Sequence, residues 1–294
     1  MDDRRGREKN RVEPGVLYLV ATPIGNMSDI TERAVKVLSE VDLVAAEDTR
    51  NSGLLLSRLG IKKPMISYFE HNKAERGPVI VDKLRSGLSC ALVTDAGTPA
   101  LSDPGEDIVR LCAEAGIKTV PVPGACAAIS ALSVSALPSG RFVFDGFLPA
   151  ASGERGVLLK EISASKLTHI IYEAPHRLKK TLDELRAACG DSRGIAVCRE
   201  LTKLNEEIIR TDLAGASEIF DAREPKGEFV LVLAGAAGEC PGRFADMDVR
   251  AHVGMYIAAG MTEKDAIKAA AKDRGVQKND IYIQYKGKDH TEER

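Results

Sequence analysis

The chain has 294 residues, enough for two or three packed units, and carries a formal net charge of −2. No run approaches the roughly 20 apolar residues of a membrane-spanning helix, and no apolar segment follows the charged start, so we expect a cytoplasmic protein. The near-neutral charge argues against general affinity for nucleic acid, and six cysteines without C-x-x-C pairs or zinc spacing predict neither disulfides nor a bound metal.

The first part of the chain alternates short apolar strands with helical patterns. Residues 1–13 are polar and charged, and we expect them to form a disordered tail. The alternation that follows predicts right-handed crossovers and a mainly parallel sheet covered by helices, in an α/β lobe over residues 14–138. Its predicted strands are 16–21, 43–45, 90–93 and 118–121, and its predicted helices are 30–39, 52–59, 74–86, one after 103 and one after 124.

A second α/β lobe is predicted over residues 139–237. Only a short helix separates its last two strands, which favours a mixed sheet. Residues 238–294 are predicted to form a linker and a small helical domain, with helices near 248–259 and 262–274. The predicted strands of the second lobe are 141–147, 168–172, 194–198, 207–210 and 228–233, and its predicted helix is 177–188.

The most informative motif follows the strand at 90–93. The segment 94–105, TDAGTPALSDPG, lies where α/β proteins bind small molecules. Asp103 and Glu106 fit the capping box of the next helix, which explains them structurally. Three residues of the segment lack such an explanation and are predicted ligand contacts: Asp95, Gly97 and Pro99.

Three other strands of the first lobe also end in polar or rigid turns. These turns are ATPIGN at 21–26, AEDTR at 46–50 and PVPGA at 121–125. Because strand ends in open α/β sheets meet at one crevice, we expect the turns to converge, although Asp48 or Thr49 also fits as a helix cap. The turns carry no Ser/His or Cys/His pair and no metal-ligand cluster. This lining favours group transfer in which a cofactor carries the activated group.

Eight motifs in this order resemble the ribosomal RNA small subunit methyltransferase I family. That family has the S-adenosylmethionine-dependent tetrapyrrole methylase fold, a class III methyltransferase fold. The resemblance implies two α/β lobes with the cofactor between them, followed here by the small helical appendage. The motifs are ATPIGN at 21–26, AEDTR at 46–50, EHN at 70–72, DAGTP at 95–99, SDPG at 102–105, GFLP at 146–149, YEAPHR at 172–177 and RELTK at 199–203.

The same resemblance implies 2′-O-methylation of a cytidine ribose in the decoding region of 16S ribosomal RNA. The implied methyl donor is S-adenosyl-L-methionine, and the implied partners are the small ribosomal subunit and a second copy of the chain in a homodimer. Cofactor contacts are implied in both lobes, at Pro23, Asp95, Gly97, Pro99, Leu101, Ser102, Ala125, Cys126 and Tyr172.

Methyl transfer to a ribose hydroxyl also requires a proton to leave that hydroxyl. Glu47, then Asp48, and also His71 are the candidate proton acceptors, and a structural role for His71 stays open. Basic side chains of the same motifs are predicted to hold RNA phosphates unless they form solvated salt bridges: Arg50, Arg177, Arg199 and Lys203.

Two other functions stay open. A precorrin-type C-methyltransferase would use the same fold and cofactor on a tetrapyrrole ring carbon. Such a substrate needs a broad apolar and aromatic trough, whereas this chain has no tryptophan and only 4% aromatic residues. A non-catalytic S-adenosylmethionine-binding ribosome assembly factor would bind the cofactor without turnover.

Overall fold

The computed structural model describes residues 11–236, 247–274, 276 and 278–286. Most of the predicted disordered tail, at 1–10, and most of the predicted linker, at 238–246, lie outside the described residues. The chain divides into two compact units, Met1–Gly235 and Ala236–Arg294. Among the described helices, none combines the length and the apolar character that a membrane crossing requires.

Five parallel strands form the first sheet, in the order β3-β2-β4-β1-β5. Helices cover both faces, since Tyr18 and Val20 pack into one apolar cluster and Leu17 into another. All five strands therefore end at the same edge. The strands are β1 (Leu17–Val20), β2 (Leu43–Ala46), β3 (Met65–Ser67), β4 (Cys90–Val93) and β5 (Thr119–Val122), and the helices are α1 (Glu32–Glu40), α2 (Thr49–Arg58), α3 (Lys73–Arg85), α4 (Glu106–Glu114) and α5 (Ala127–Val134).

The second sheet is mixed, as predicted, with the order β6-β7-β10-β8-β9. Only β6 and β7 pair in parallel, and the other three pairings are antiparallel. Its strands are β6 (Phe142–Phe147), β7 (Thr168–Glu173), β8 (Gly194–Arg199), β9 (Glu207–Asp212) and β10 (Phe229–Leu233), and its helices are α6 (Ser152–Ala164), α7 (Pro175–Cys189) and α8 (Leu213–Asp221).

The C-terminal unit contains both helices predicted there and one that was not predicted. These are α9 (Val249–Ala258), α10 (Glu263–Arg274) and the unpredicted α11 (Lys278–Lys286). Its buried core includes Val253, Ile267 and Ile281, one residue from each helix. Before α10, the Thr262 hydroxyl accepts a hydrogen bond from the backbone N–H of Asp265 at 3.3 Å, which caps the helix.

The predicted capping box before α4 is wrong. The N-cap residue of α4 is Gly105, which has no side chain to cap the helix. Asp103 lies two residues too early, and its carboxyl group hydrogen-bonds Thr94 instead. The sequence pattern of a cap was present, but the backbone turns at Gly105 with φ +151°, a conformation that favours glycine.

Candidate active site

Four loops lie side by side at the carboxyl edge of the first sheet. Strand β4 lies between β2 and β1, and β1 lies between β4 and β5. The turns at 21–26, 46–50 and 121–125 and the segment 94–105 therefore follow adjacent parallel strands. This arrangement is the crevice at which ligands bind in open α/β sheets.

Hydrogen bonds join the loops after β1, β4 and β5. Thr22 and Gly97 exchange backbone hydrogen bonds of 2.9 and 3.1 Å. The Thr98 hydroxyl donates to the carbonyl oxygen of Ala125 at 3.0 Å. Gly97 has φ +84°, and a Cβ there would lie 3.3 Å from the Ile24 side chain, so a larger residue would strain the junction.

The loop after β4 also has left-handed backbone at two residues that are not glycine. Ala100 has φ +69° and Ser102 has φ +62°. For an L-residue this conformation costs about 1–2 kcal/mol. Such strain clusters at ligand clamps and active sites, because the surrounding structure must hold it in place. Backbone conformation therefore makes this loop a candidate ligand site independently of its sequence motif.

The second sheet meets this loop through β6 and β7. A Cβ at Gly146 in β6 would lie 2.7 Å from the hydroxyl oxygen of Ser102, so the Ser102 side chain lies directly against the β6 backbone. In β7, the Tyr172 hydroxyl accepts a hydrogen bond of 3.1 Å from the backbone N–H of Ala128. Burial raises the pKa of Tyr172 to about 12, so this hydroxyl is neutral at physiological pH.

Two phenylalanines flank Tyr172. The rings of Phe144 and Phe147 make edge-to-face contacts with it, at centroid distances of 5.1 and 5.7 Å. Phe147 is 50% exposed, an unusual position for a large apolar ring. It was not among the predicted site residues, although it lies within the GFLP motif.

A buried arginine holds the loop that follows β6. Arg155 pairs with Glu184 at 2.6 Å and donates to the Thr181 hydroxyl at 2.7 Å and to the carbonyl oxygen of Pro149 at 3.3 Å. The Thr181 hydroxyl in turn donates to Glu173 at 2.5 Å. This network connects the GFLP motif to α6, α7 and the end of β7.

Three carboxyl groups, those of Glu47, Asp95 and Asp103, lie close together where β2 and β4 end. Glu47 accepts a hydrogen bond of 3.4 Å from the backbone N–H of Asp95. Burial raises the pKa of Glu47 above its ordinary value. The pKa of Asp103 rises to about 7, mainly through burial and then through repulsion by Glu47. Asp103 was not a predicted site residue, because its sequence context looked like a helix cap.

Asp48 serves a structural purpose. It is the N-cap residue of α2, and its carboxylate accepts the backbone N–H of Arg50 at 2.8 Å and pairs with the Arg50 guanidinium at 2.6 Å. Its hydrogen bonds to Arg50 lower the pKa of Asp48 to about 2. A carboxylate with that pKa is a weak proton acceptor at neutral pH, so this geometry does not favour the predicted role of Asp48.

His71 precedes α3 and is exposed. Its ring makes an edge contact with Phe69 at a centroid distance of 6.2 Å. No described contact joins it to the carboxyl groups at the ends of β2 and β4. The role of His71 as a proton acceptor therefore stays a prediction without support from the structure.

All four predicted phosphate ligands have carboxylate partners. Arg50 pairs with Asp48 and is 89% exposed on its side chain. The side chains of the other three are partly buried: Arg177 pairs with Glu173 at 3.3 Å, Arg199 with Glu207 at 3.8 Å, and Lys203 with Glu200 at 2.8 Å and Glu228 at 3.0 Å. To bind a phosphate, each of these basic side chains must leave its carboxylate partner or contact the carboxylate and the phosphate together.

Lys203 also connects the two lobes. Its methylene stem packs against Gly25 in the turn after β1, in the space that any side chain at position 25 would occupy. Gly25 has φ +156°, which an L-residue rarely adopts. The RELTK motif of the second lobe therefore lies directly against the ATPIGN motif of the first.

The remaining predicted cofactor residues lie on the same loops. Pro23 belongs to the turn after β1, and Pro99 and the exposed Leu101 belong to the loop after β4. Ala125 and Cys126 immediately precede α5, and Cys126 is its N-cap residue, without a side-chain capping bond. The structure therefore places all nine predicted cofactor residues on the loops after β1, β4 and β5 or on β7 beside α5.

The described residues contain no group of three His, Cys, Asp or Glu side chains arranged to bind a metal ion. The five cysteines within the described ranges are free thiols, and Cys240 lies outside those ranges. The site therefore offers backbone groups, small side chains and a cluster of carboxyl groups. These groups can position a charged small molecule and accept a proton, but they include no activated nucleophile.

The sequence and the fold are similar to those of known methyltransferases. Residues 16–216 match the family described as Tetrapyrrole (Corrin/Porphyrin) Methylases. A protein named Ribosomal RNA small subunit methyltransferase I from Synechocystis sp. is 45% identical, covering 91% of this chain and 96% of that protein. The protein of the same name from Escherichia coli O157:H7 is also 45% identical, covering 91% and 93%.

Among solved structures, uroporphyrin-III C-methyl transferase from Thermus thermophilus, complexed with S-adenyl homocysteine, has a similar fold. The TM-score is 0.54 at 17% identity, and the match covers 74% of this chain and 96% of that one. The predicted α/β class with the two-lobed tetrapyrrole methylase fold is thus confirmed. The chain belongs to the tetrapyrrole (corrin/porphyrin) methylase family, among the ribosomal RNA small subunit methyltransferase I proteins.

Proposed function

We propose that this protein transfers a methyl group from S-adenosyl-L-methionine to the 2′-hydroxyl of a cytidine ribose in the decoding region of 16S ribosomal RNA. The relatives that are 45% identical over 91% of the chain support the rRNA substrate by their name. The structural observation that carries the proposal is the junction of three loops at the sheet edge, closed by Ser102 against Gly146 of the second lobe.

The described residues fit a sulfonium cofactor. When bound, S-adenosyl-L-methionine supplies an electrophilic methyl group, so the protein needs no nucleophile of its own. The nearby carboxyl groups of Glu47, Asp95 and Asp103 suit the positive charge of a sulfonium. The loops approach one another through backbone, since a Cβ at Gly124 would lie 3.0 Å from Ala21. We assign the cofactor contacts to Pro23, Asp95, Gly97, Pro99, Leu101, Ser102, Ala125, Cys126 and Tyr172.

Two carboxyl groups are the favoured acceptors for the ribose proton. A general base works best when its pKa lies near the working pH. Burial raises the pKa of Glu47, and that of Asp103 rises to about 7. Asp48, with a pKa of about 2, is less suited. We therefore rank Glu47 and Asp103 above Asp48 and His71.

The near-neutral chain is expected to dock on a structured particle through several surfaces rather than to bind RNA through overall charge. We accordingly propose the assembled small ribosomal subunit as the substrate. Equal methylation rates on protein-free 16S rRNA and on subunits would contradict this choice. We also propose that the protein acts as a homodimer in the cytoplasm, which light scattering and fractionation would test.

Tritiated cofactor separates the proposed function from its alternatives. Purified small subunits that lack the modification are incubated with the protein and labelled S-adenosyl-L-methionine, and the RNA is digested to nucleosides. Label in a 2′-O-methylcytidine supports the proposal. Label only in an added uroporphyrinogen supports a tetrapyrrole C-methyltransferase, and cofactor binding without label supports an assembly factor. If the Asp95→Ala variant binds the cofactor with unchanged affinity, our placement of the cofactor is wrong.

A further inference from the structure

A cavity opens between the turn after β1 and helix α2. Its volume is about 240 Å³, and its wall includes Pro23, Met27, Asn51, Leu54, Arg58 and Asp95. Pockets for drug-sized ligands measure roughly 300–1,000 Å³, so this cavity suits a single flat ring system and is too small for a tetrapyrrole. It shares Pro23 and Asp95 with the predicted cofactor loops, so a ligand in it would lie next to the proposed cofactor contacts.

One face of α2 lines this cavity. Asn51, Leu54, Leu55 and Arg58 stand at positions i, i+3, i+4 and i+7, the spacing of a single helix face. Leu54 is 61% exposed although it is a large apolar residue. The face therefore has an amide at one end, an apolar middle and a cation at the other end, about 10 Å further along the helix axis.

The amide of Asn51 is held in one orientation. Its Nδ2 donates to Oδ2 of Asp95 at 2.9 Å, which distinguishes the nitrogen from the oxygen of the amide. One N–H of Asn51 and its Oδ1 have no other partner within the described part of the chain. Together they present a donor beside an acceptor. This pattern complements the edge of cytosine, whose N4 amino group donates and whose N3 accepts.

Uracil presents the opposite pattern at this edge. It carries a carbonyl oxygen in place of the N4 amino group and an N–H in place of the N3 acceptor. In the same pose, its carbonyl oxygen would face Oδ1 of Asn51 and its N3–H would face the N–H of Asn51, so acceptor meets acceptor and donor meets donor. Enzymes that act on extruded nucleotides read the base through its Watson–Crick edge in this way and pack the ring on apolar side chains.

The guanidinium of Arg58 is available for an anion. Among the described residues it forms no ion pair and no side-chain hydrogen bond, in contrast to Arg50 on the same helix, which pairs with Asp48. An unpaired arginine on the wall of a cavity suits a phosphate, because it gives up no carboxylate partner on binding. Its position beyond Leu54 suits a phosphate adjacent to a base held near Asn51.

We propose that this cavity binds the cytosine base of the nucleotide to be methylated, with Asn51 reading its Watson–Crick edge and Arg58 holding a neighbouring phosphate. The proposal rests on the proposed function, since it assigns the substrate base to a cavity beside the cofactor site. It adds a reason for a preference for cytidine over uridine. It also names a phosphate ligand that the family motifs did not indicate.

The test compares three variants on two substrates. Asn51→Ala and Arg58→Ala change the cavity, and Arg85→Ala is the matched control, since Arg85 lines a different cavity of about 250 Å³ between α3 and α4. The substrates are reconstituted small subunits with cytidine or uridine at the target position. The readouts are kcat/KM for methyl transfer, the salt dependence of subunit binding, and the affinity for S-adenosylhomocysteine by calorimetry.

We expect the wild type to prefer cytidine by about tenfold to a hundredfold in kcat/KM, and Asn51→Ala to lose most of that preference. Arg58→Ala should lower kcat/KM on both substrates and reduce the slope of log affinity against log salt by about 0.7–1. Arg85→Ala should behave like the wild type. S-adenosylhomocysteine affinity should stay within about twofold in all variants, which also shows that they are folded.

Different results separate this proposal from the proposed function. If the wild type labels neither subunit, the proposed function has failed. If the wild type methylates and prefers cytidine while Asn51→Ala keeps the full preference, the base does not bind here, and the rRNA activity still stands. Loss of S-adenosylhomocysteine affinity in Asn51→Ala or Arg58→Ala would assign the cavity to the cofactor and overturn the proposal. If the slope of log affinity against log salt is unchanged in Arg58→Ala, Arg58 does not contact a phosphate.

Discussion

Replacing Asp103 by Asn tests the electrostatic cost of the carboxyl cluster. Burial, with repulsion from Glu47, raises the pKa of Asp103 from its ordinary value of 3.8 to about 7. The folded protein therefore keeps this proton at pH values where the unfolded chain has lost it. The contribution of Asp103 to the free energy of unfolding therefore falls as the pH rises from about 4 to about 7, and the loss is complete above that range.

The size of this effect follows from the pKa shift of Asp103. A rise of about 3 pKa units corresponds to an upper limit of roughly 4 kcal/mol, at 1.36 kcal/mol per unit. Asp103 is partly exposed, so solvent screening reduces this figure, and we expect about 1–2 kcal/mol. An amide does not ionise and can still hydrogen-bond Thr94. Asp103→Asn should therefore increase the free energy of unfolding by this amount at pH 8 and leave it nearly unchanged below pH 4.

Urea unfolding between pH 4 and pH 9 measures this difference. Asp183→Asn, which removes an exposed carboxylate from α7, is the control and should show no such pH dependence. A variant of Asp103 that is less stable than the wild type at pH 8, or whose stability difference does not change with pH, would refute the reasoning. The methylation rate of the same variant reports separately on the proposed role of Asp103 as proton acceptor.

Three further changes test contacts around the site. Gly146→Ala introduces a Cβ that would lie 2.7 Å from the hydroxyl oxygen of Ser102 at φ +63°. Urea unfolding should therefore show a loss of about 1–2 kcal/mol, and adding Ser102→Ala should restore part of it because it removes the clashing hydroxyl. Tyr172→Phe leaves the N–H of Ala128 without its acceptor, and urea unfolding should show a loss of about 1–2 kcal/mol. Arg155→Met breaks a buried ion pair and should cost about 3 kcal/mol in the same assay, and a loss below 1 kcal/mol would show that the network is dispensable.

The alternation of strands and helices was readable from the sequence because buried parallel strands are continuous apolar runs. β2 and β4 are buried at every position and were predicted within about one residue. One strand and one α-helix of the first 236 residues escaped prediction. β3 has only three residues, with Met65 exposed, and α6 starts in a segment containing Gly153 and Gly156. Short edge strands and glycine-rich helices lack the periodic pattern on which such predictions depend.

The candidate site was predicted in part. The loops after β1, β4 and β5 were identified because strand ends carry ligand sites, and the structure joins them. Distant partners of the charged residues were not readable, since Lys203 pairs with Glu228, which lies 25 residues further along the chain. The position of Asn51 beside Asp95 was also missed, because 44 residues separate them in the chain. Only the three-dimensional structure shows which charged side chains already form ion pairs.

The bridge between Thr22 and Gly97, with the bond from Thr98 to Ala125, ties three loops together within the folded chain itself. These loops lose their conformational entropy when the protein folds. Ligand binding therefore does not have to order them again. Association of the cofactor should consequently show only a modest entropy penalty and a fast association rate, as expected for a preformed binding site.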